Sequence, residues 1–170
     1  MSVLLRELEP ADLPAVVALN DDAVPAVPMT DEDEMALLTA IASLAVVAVD
    51  EDDPTEPLGF LIAMDPETEY ASENFRFFQR RSSDFLYVDR IVIGGERRGA
   101  GIGRLLYGAA FDRARTDGRS EVTCEVNLRP PNPRSLGFHE VLGFSRVGEQ
   151  ETKGGKVRVA LLAAPAGDPD

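Results

Sequence analysis

Three glycines, Gly99, Gly101 and Gly103, stand close together in the middle of the sequence. They follow an apolar, β-branched stretch and precede a segment with helical periodicity, so they occupy the turn between a strand and a helix. Glycine lets main-chain N–H groups approach a ligand closely, and the first N–H groups of a helix have no acceptor within the helix. The turn is therefore predicted to bind an anion such as a phosphate or a pyrophosphate.

Arginines surround this turn. Arg97, Arg98 and Arg104 lie nearest to the glycines, and a guanidinium group binds phosphate oxygens through paired hydrogen bonds. Two common phosphate-binding motifs fit less well. Arg104 stands where the dinucleotide-binding G-x-G-x-x-G pattern needs its last glycine, and no Gly-Lys-Ser/Thr sequence occurs. A tight turn without a ligand is the structural alternative.

The composition limits the partners of the protein. The chain has 170 residues, of which 44% are hydrophobic and 28% are charged, as is typical of one globular domain. Its formal net charge is −13, and residues 1–56 contain 14 acidic residues and one basic residue. Nucleic acids and anionic membranes select basic surfaces, so we expect neither as a partner.

The low numbers of cysteine and histidine, and the lack of a long apolar run, exclude disulfide-linked, zinc-binding and membrane-spanning proteins. The chain has one cysteine, Cys124, and one histidine, His139, so it can form neither an internal disulfide nor a structural zinc site built from those ligands. We expect no metal. No apolar run reaches the ~20 residues that span a bilayer, and the first residues lack the charged and apolar regions of a signal peptide. We therefore expect a cytoplasmic protein.

Hydropathy patterns predict strands and helices within one domain that covers residues 1–170. The predicted order is β-α-α-β-β-β-α-β-α-β-β, which indicates an α/β (α+β) fold. A strand over Phe85–Ile93 leads through the glycine-rich turn into a helix, and Thr30 is the predicted N-cap of the second helix. Residues 65–82 are predicted to form a polar connection with clustered aromatic residues, and residues 163–170 a frayed tail.

Two segments match the sequence blocks of a known family. Arg98-x-x-Gly101-x-Gly103 resembles the Gln/Arg-x-x-Gly-x-Gly/Ala signature of the GNAT superfamily of N-acetyltransferases, and it follows an apolar strand as it does there. The second segment is similar to the family's Asn-x-x-Ala/Ser-x-x-Phe-Tyr-x-x-x-Gly-Phe block and reads Asn132-Pro-Arg-Ser135-Leu-Gly-Phe138-His139-Glu-Val-Leu-Gly143-Phe144. Two matching blocks in the right order make the resemblance specific, and it extends to the superfamily's uncharacterised bacterial members.

The resemblance implies a fold and a cofactor. The fold is a mixed central sheet of six to seven strands that splays at its central strands to admit coenzyme A, and the cofactor is acetyl-CoA. The main chain of Ile91, Val92 and Ile93 would follow the pantetheine arm. The pyrophosphate would bind the turn that comprises Arg98, Gly99, Ala100, Gly101, Ile102, Gly103 and Arg104. The other side of the arm would be flanked by Asn132, Ser135 and Phe138.

His139 departs from the family's pattern. In the family a tyrosine at this position gives a proton to the departing thiolate. A histidine can donate an N–H to sulfur, and its cation is a stronger acid than the phenol of tyrosine. Simple packing of His139 on the short helix is the structural alternative.

Acetyl transfer to an amine also needs a base, because most amines are cationic at neutral pH. Asp89 lies in the central strand on the same face as Ile91 and Ile93, and Glu125 lies in the following strand. Either carboxylate could take the proton, directly or through a water. The structural alternative for Asp89 is an ion pair with a neighbouring arginine.

The resemblance implies an enzyme that moves an acetyl group from acetyl-CoA to the primary amine of a small molecule, amino acid or peptide by direct attack in a ternary complex. The alternative is a non-catalytic, regulatory acyl-CoA-binding module, in which a histidine replaces the tyrosine because no proton donor is needed. The sequence leaves open the acceptor, the length of the acyl chain and the oligomeric state, although homodimers are common in families of this kind.

Overall fold

A computed structural model describes residues 1–167 of the chain. The strands are β1 (Val3–Glu7), β2 (Leu44–Asp50), β3 (Asp53–Met64), β4 (Phe85–Ile93), β5 (Glu121–Arg129), β6 (Ser145–Thr152) and β7 (Val157–Pro165). The α-helices are α1 (Leu13–Asp22), α2 (Glu32–Ile41), α3 (Glu73–Arg81), α4 (Ile102–Thr116) and α5 (Pro133–Val141).

The seven strands of the described residues form one mixed sheet in the order β1-β2-β3-β4-β5-β7-β6. Antiparallel pairs join β1 to β2, β2 to β3, β5 to β7 and β6 to β7. β4 pairs with β5 in parallel, and this ladder joins Phe85–Tyr87 to Glu121–Thr123. The expected mixed sheet of six to seven strands in an α/β fold is confirmed.

The chain divides into two compact units. The first unit comprises Met1–Met64 and Val88–Ala110, and the second comprises Asp65–Tyr87 and the chain from Phe111 onward. β4 and α4 each contribute residues to both units.

The core of the first unit lies on the β2–β3 hairpin. Leu58–Met64 of β3 is buried without alternation, as expected for a strand covered on both faces. The helices add apolar side chains, and Val16 of α1 and Met35 of α2 have no exposed surface. The end of β4 belongs to this unit, where Gly94 N–H donates to the Leu58 carbonyl at 2.9 Å.

The core of the second unit is aromatic. Phe75 and Phe78 of α3 are fully buried against Phe85 and Tyr87 of β4. The tilted and edge-on ring arrangements are the ones that aromatic quadrupoles favour. These contacts fix the position of the first half of β4 and of the Tyr87 side chain.

The helix α3 was missed by the sequence analysis, which treated residues 65–82 as a connection. Ser72 caps the helix by accepting the Phe75 N–H at 3.2 Å. Basic residues occupy its last turn, where the negative end of the helix dipole attracts them. Phe75 and Phe78 stand three positions apart, so both face the core. The aromatic residues therefore cap the core, but from a helix rather than from a loop.

Two element boundaries also differ from the prediction. Asp31, not Thr30, caps α2 by accepting the Glu34 N–H at 2.8 Å, because the buried Thr30 hydroxyl is bonded elsewhere. Residues 163–165 belong to β7, where they pair with Glu121–Thr123, so this part of the predicted frayed tail is wrong. Residues 168–170 of that tail lie outside the described residues.

Candidate active site

The glycine-rich turn precedes α4 as the sequence predicts. Gly99 and Gly101 have φ angles of 87° and 81°, a region that other residues avoid because of their Cβ atoms. Beyond the adjacent residues, a Cβ built on either glycine meets no protein atom within 4 Å, so the space beside the turn is open. The turn therefore fits a ligand that approaches the main chain closely.

Hydrogen bonds hold the turn in shape. Arg97 N–H donates to the Gly94 carbonyl at 2.9 Å and Ala100 N–H donates to the Arg97 carbonyl at 3.3 Å. The helical ladder begins where Leu105 N–H donates to the Gly101 carbonyl at 3.2 Å. The earlier N–H groups of α4 thus stand at the positive end of the helix, which favours an anion.

Arg98 and Arg104 are exposed beside this turn. Within residues 1–167 neither forms an ion pair, whereas Arg113 and Arg115 farther along α4 pair with Asp117 and Asp112. Two guanidinium groups next to unpaired helical N–H groups suit a diphosphate. The donor set of the turn therefore fits the pyrophosphate of coenzyme A.

The end of β4 runs into this turn. Val92 is buried, while Ile91 and Ile93 are half-buried, so the alternation of the strand continues to its last residue. Gly59 of β3 lies so close that a Cβ there would be 2.7 Å from the Val92 carbonyl oxygen. The main chain of Ile91–Ile93 is therefore held firmly by its neighbour in the first unit.

Asp89 lies in an ion pair. Its Oδ2 is 3.3 Å from Nε of Arg90, and both side chains are 6% exposed. Arg90 Nη1 also donates to Asn20 Oδ1 at 2.9 Å and to the Thr30 hydroxyl at 2.7 Å. The expected alternative for Asp89, an ion pair with a neighbouring arginine, is thus present.

Arg90 connects β4 to the segment between α1 and α2. Asn20 at the end of α1 and Thr30 before α2 are both buried, and each donates to the Pro28 carbonyl, at 2.9 Å and 3.1 Å. Because buried polar groups are costly unless they are paired, this cluster fixes residues 20–30. Arg90 was not among the predicted site residues, although it and Asp89 are the two charged residues of a strand that is otherwise apolar or aromatic.

Glu125 on β5 has a different neighbour. The hydroxyl of Tyr87 lies 2.7 Å from Oε2 and 2.9 Å from Oε1 of Glu125, and Tyr87 is fully buried. The phenol donates and the carboxylate accepts. Tyr87 also escaped the sequence analysis, because only the register of β4 and β5 shows that the two side chains meet.

His139 lies in α5 and is 4% exposed. Its Nδ1 is 2.7 Å from the Ser135 carbonyl oxygen, and an oxygen that can only accept places the proton on Nδ1. Its ring contacts Phe138 and Phe144 edge-on, with centroids 5.5 Å and 5.3 Å away. The packing expected as the structural alternative is therefore observed.

Burial lowers the pKa of His139, and the hydrogen bond to the Ser135 carbonyl opposes this effect without cancelling it. The neutral imidazole is thus favoured at neutral pH. With its proton on Nδ1, the neutral ring presents Nε2 as an acceptor. This state argues against the expectation that a histidine cation protonates sulfur.

The remaining residues of the second sequence block gather at the start of α5. Asn132 is the N-cap, and its side chain accepts the Ser135 N–H at 3.4 Å. The Ser135 hydroxyl lies 3.3 Å from Nδ1 of His139, and Phe138 is half-buried. This block therefore has a structural role in forming α5, and its predicted contacts with the cofactor stay predictions.

Residues 1–167 contain no group of three or more His, Cys, Asp or Glu side chains that could hold a metal ion. Over the same range, every helix is too short or too polar to cross a membrane.

Comparison with protein families decides the assignment. The model described as "Acetyltransferase (GNAT) family" matches residues 13–144, which include the glycine-rich turn and the block around His139. The chain belongs to the GNAT acetyltransferase family. This GNAT protein is accordingly an acetyltransferase, and the family's acetyl donor and cofactor is acetyl-CoA.

Solved structures agree with the GNAT fold. The chain is similar to Ard1 from Thermoplasma volcanium, with a TM-score of 0.78 and 14% identity over 97% of this chain and 98% of the other. It is similar to the ribosomal-protein-S18-alanine N-acetyltransferase from Escherichia coli, with a TM-score of 0.72 and 18% identity over 97% and 94%. It is also similar to yncA from Salmonella typhimurium, solved with its cofactor acetyl-CoA, with a TM-score of 0.72 and 18% identity over 99% and 96%. Curated proteins give no match.

Proposed function

We propose that this GNAT protein, acting as a single domain, transfers an acetyl group from acetyl-CoA to the primary amine of a small molecule, amino acid or peptide in a ternary complex. The observation that carries the proposal is the open glycine-rich turn at the start of α4, where positive φ angles at Gly99 and Gly101 leave main-chain donors accessible. The peptide or protein acceptors implied by the names of similar structures, such as ribosomal-protein-S18-alanine, support an amine as the acceptor class.

The turn binds the pyrophosphate in this proposal. Its N–H groups, from Arg98 to Arg104 with the exception of Ala100, whose N–H donates to the Arg97 carbonyl, supply donors at the positive end of α4. The exposed guanidinium groups of Arg98 and Arg104 add charge. The main chain of Ile91–Ile93 follows the pantetheine arm through strand-like hydrogen bonds. For the other side of the arm we retain the three α5 residues, Asn132, Ser135 and Phe138.

Acetyl-CoA would supply a thioester: its C–S bond would break as the new C–N bond forms, and the thiolate would leave with the second proton that the nitrogen gives up on becoming an amide. The chain's own groups handle the charges that result. Glu125 takes a proton from the acceptor's ammonium group, which makes the nitrogen a nucleophile. A main-chain N–H of β4 that points away from β3, such as that of Ile91 or Ile93, donates to the carbonyl oxygen, where negative charge develops. Asp89 is the weaker candidate for the base, because it pairs with the permanently charged Arg90.

His139 has two candidate roles, proton donation to sulfur and packing of α5, and variants can separate them. As a proton donor to sulfur it needs a proton on Nε2, whereas its packing role needs only the ring and the bond to Ser135. We expect His139→Ala to lower turnover in both cases. Only a donor role lets His139→Tyr, which restores the family's hydroxyl, recover turnover while the shape of α5 is monitored by thermal unfolding.

The function is tested by following thiol release from acetyl-CoA with a panel of primary amines, amino acids and short peptides. Release that depends on an amine, together with an acetylated product in the mass spectrum, supports the enzyme. Tight binding of coenzyme A without turnover on any amine would instead support a non-catalytic acyl-CoA-binding module.

The cofactor site has a matched pair of variants. Gly101→Asp places a negative charge in the turn, and we expect its affinity for coenzyme A to fall by at least about tenfold, because a carboxylate repels the pyrophosphate. Gly118→Asp is the control, since Gly118 also has a positive φ of 72° and no atom within 4 Å of a built Cβ, but it follows the end of α4. Equal affinities of the two variants in calorimetry would remove the turn from the site.

A further inference from the structure

Tyr87 carries a buried hydroxyl whose partner is a candidate catalytic group. Its oxygen lies 2.7 Å and 2.9 Å from the two carboxylate oxygens of Glu125. The tyrosine has no exposed surface, while Glu125 is half-buried. A buried phenol that donates to a more accessible carboxylate can hold that carboxylate in one orientation.

The register of the strands brings the two residues together. Tyr87 is opposite Thr123 in the parallel ladder, and Glu125 is two residues farther along β5, on the same face as Thr123. The Tyr87 side chain therefore reaches along the face of the sheet to Glu125.

The ring of Tyr87 is clamped by α3. Its centroid lies 5.3 Å from that of Phe75 and 5.8 Å from that of Phe78, so the ring cannot change rotamer without moving the helix. Helix α3 itself is tied to the β6–β7 region, because Gln150 Nε2 donates to Asn74 Oδ1 at 2.7 Å and Lys153 N–H donates to Glu73 at 3.1 Å. The direction of the hydroxyl is therefore set by packing before any ligand binds.

A phenol suits this task better than a cationic partner. It is neutral, so it orients the carboxylate without neutralising its charge. Its single proton also occupies only one of about four lone-pair positions on a carboxylate. The same carboxylate can therefore still accept a proton from a substrate's ammonium group.

We propose that Tyr87 is a positioning residue for acetyl transfer, whose hydroxyl holds Glu125 in the orientation in which it takes the proton of the acceptor amine. This inference rests on the proposed function, in which Glu125 is the base. Tyr87 acts through Glu125 and is assigned no contact with the substrate.

A double-mutant cycle on turnover tests this inference. Tyr87→Phe keeps the ring and removes the hydroxyl, and we expect kcat to fall about ten- to hundredfold while KM for acetyl-CoA changes by no more than about twofold. In the Glu125→Gln background the same change should lower kcat by no more than about twofold, because the orientation no longer matters.

Phe60→Leu is the matched control, since Phe60 is fully buried in β3, in the unit that does not contain Tyr87, and the change leaves the Tyr87 hydroxyl and its packing on α3 in place. A purely structural effect lowers kcat by the same factor in the wild-type background and in the Glu125→Gln background, and this is the result that we expect for Phe60→Leu. Denaturation of each variant is measured in parallel, so that rates are compared only for folded protein.

The outcomes separate the inference from the function on which it depends. A loss of kcat in Tyr87→Phe that is equal in both backgrounds, or no loss at all in an active enzyme, overturns the role of Tyr87 alone. An unimpaired Glu125→Gln enzyme overturns both the base and its positioning. A wild-type chain that binds coenzyme A but acetylates no amine refutes the proposed function itself.

Discussion

Two carboxylates were candidates for the same task, and their surroundings differ in kind. Asp89, in the first unit, lies 3.3 Å from the guanidinium of Arg90, and both side chains are almost fully buried. Glu125, in the second unit, accepts a hydrogen bond from the neutral phenol of Tyr87 and is half-buried. A guanidinium is always charged and meets the carboxylate as a counter-ion, whereas a phenol is neutral and contributes a hydrogen bond without a charge.

The difference shows how a neighbour decides the use of a carboxylate. The Asp89–Arg90 pair belongs to a buried network that includes Asn20 and Thr30, and removing one member weakens the hydrogen bonding of the others. The Glu125–Tyr87 pair combines a hydrogen bond from the phenol with the packing of the Tyr87 ring on α3. The first arrangement is suited to holding a segment of chain, and the second to moving a proton.

Exchange of the Glu125 carboxylate should have the largest effect. We expect Glu125→Gln to lower kcat by about 10²–10⁴-fold, the usual contribution of a general base, because the amide cannot accept the ammonium proton. Asp89→Asn is the matched change, and its kcat should fall less than about tenfold for folded protein. If the rates rank in the opposite order, Asp89 is the base and the comparison is reversed.

Removal of Arg90 should act mainly on stability. We expect Arg90→Met to lower the free energy of unfolding by about 3–5 kcal/mol, because it removes the cation beside the buried Asp89 carboxylate and breaks the bonds to Asn20 and Thr30. The measurement is chemical denaturation. Adding Asp89→Asn to Arg90→Met should restore part of the lost free energy of unfolding. If the double variant instead loses the sum of the two single losses, Asp89 and Arg90 are not energetically coupled.

The smallest effect concerns the dependence of stability on pH. Because burial lowers the pKa of His139, the unfolded chain binds the imidazole proton at about 6.5 and the folded chain binds it only at lower pH. Protonation therefore favours the unfolded state. The contribution of His139 to stability is complete above pH 6.5 and is lost as the pH falls below that value.

His139→Gln should remove this part of the pH dependence of the unfolding free energy. The chain has a single histidine, so its imidazole NMR signals also report the titration directly. Asp12→Asn is the control, because Arg6 lowers the pKa of Asp12 below 3.8 and its titration affects stability only in more acidic solution. An unchanged slope between pH 5 and 7 in His139→Gln would contradict the prediction.

Much of the fold follows from local patterns. The strand Phe85–Ile93 and the turn with Gly99 and Gly101 have local causes, namely alternation, β-branching and glycine spacing, and the structure places both as predicted. The helix α3 has a strong amphipathic pattern, with Phe75 and Phe78 on one face, but its three arginines and glutamine make the segment polar on average, so it resembles a polar connection. Which face of α3 is buried depends on where these two phenylalanine rings pack, and that is set by the tertiary structure.

The pairings of side chains could not be predicted in the same way. The sequence indicated that Asp89 could meet an arginine, but it did not identify Arg90 as the partner or show that Arg90 engages the Thr30 hydroxyl. That second bond explains why Asp31 caps α2 in place of Thr30. The contact of Tyr87 with Glu125 needs the offset between two strands that are 27 residues apart in the chain, and local sequence does not specify that offset.

Gly59 has a consequence for how the cofactor turn is placed. A methyl group at this position would press on the Val92 carbonyl and come within 3.4 Å of Ile93 and of the Ile102 side chain. Every larger residue would therefore displace the chain on both sides of residues 94–101. The position of the main-chain donors in the turn therefore depends on the absence of a side chain at Gly59 of the neighbouring strand β3. Gly59 has this effect although it is assigned no contact with a ligand.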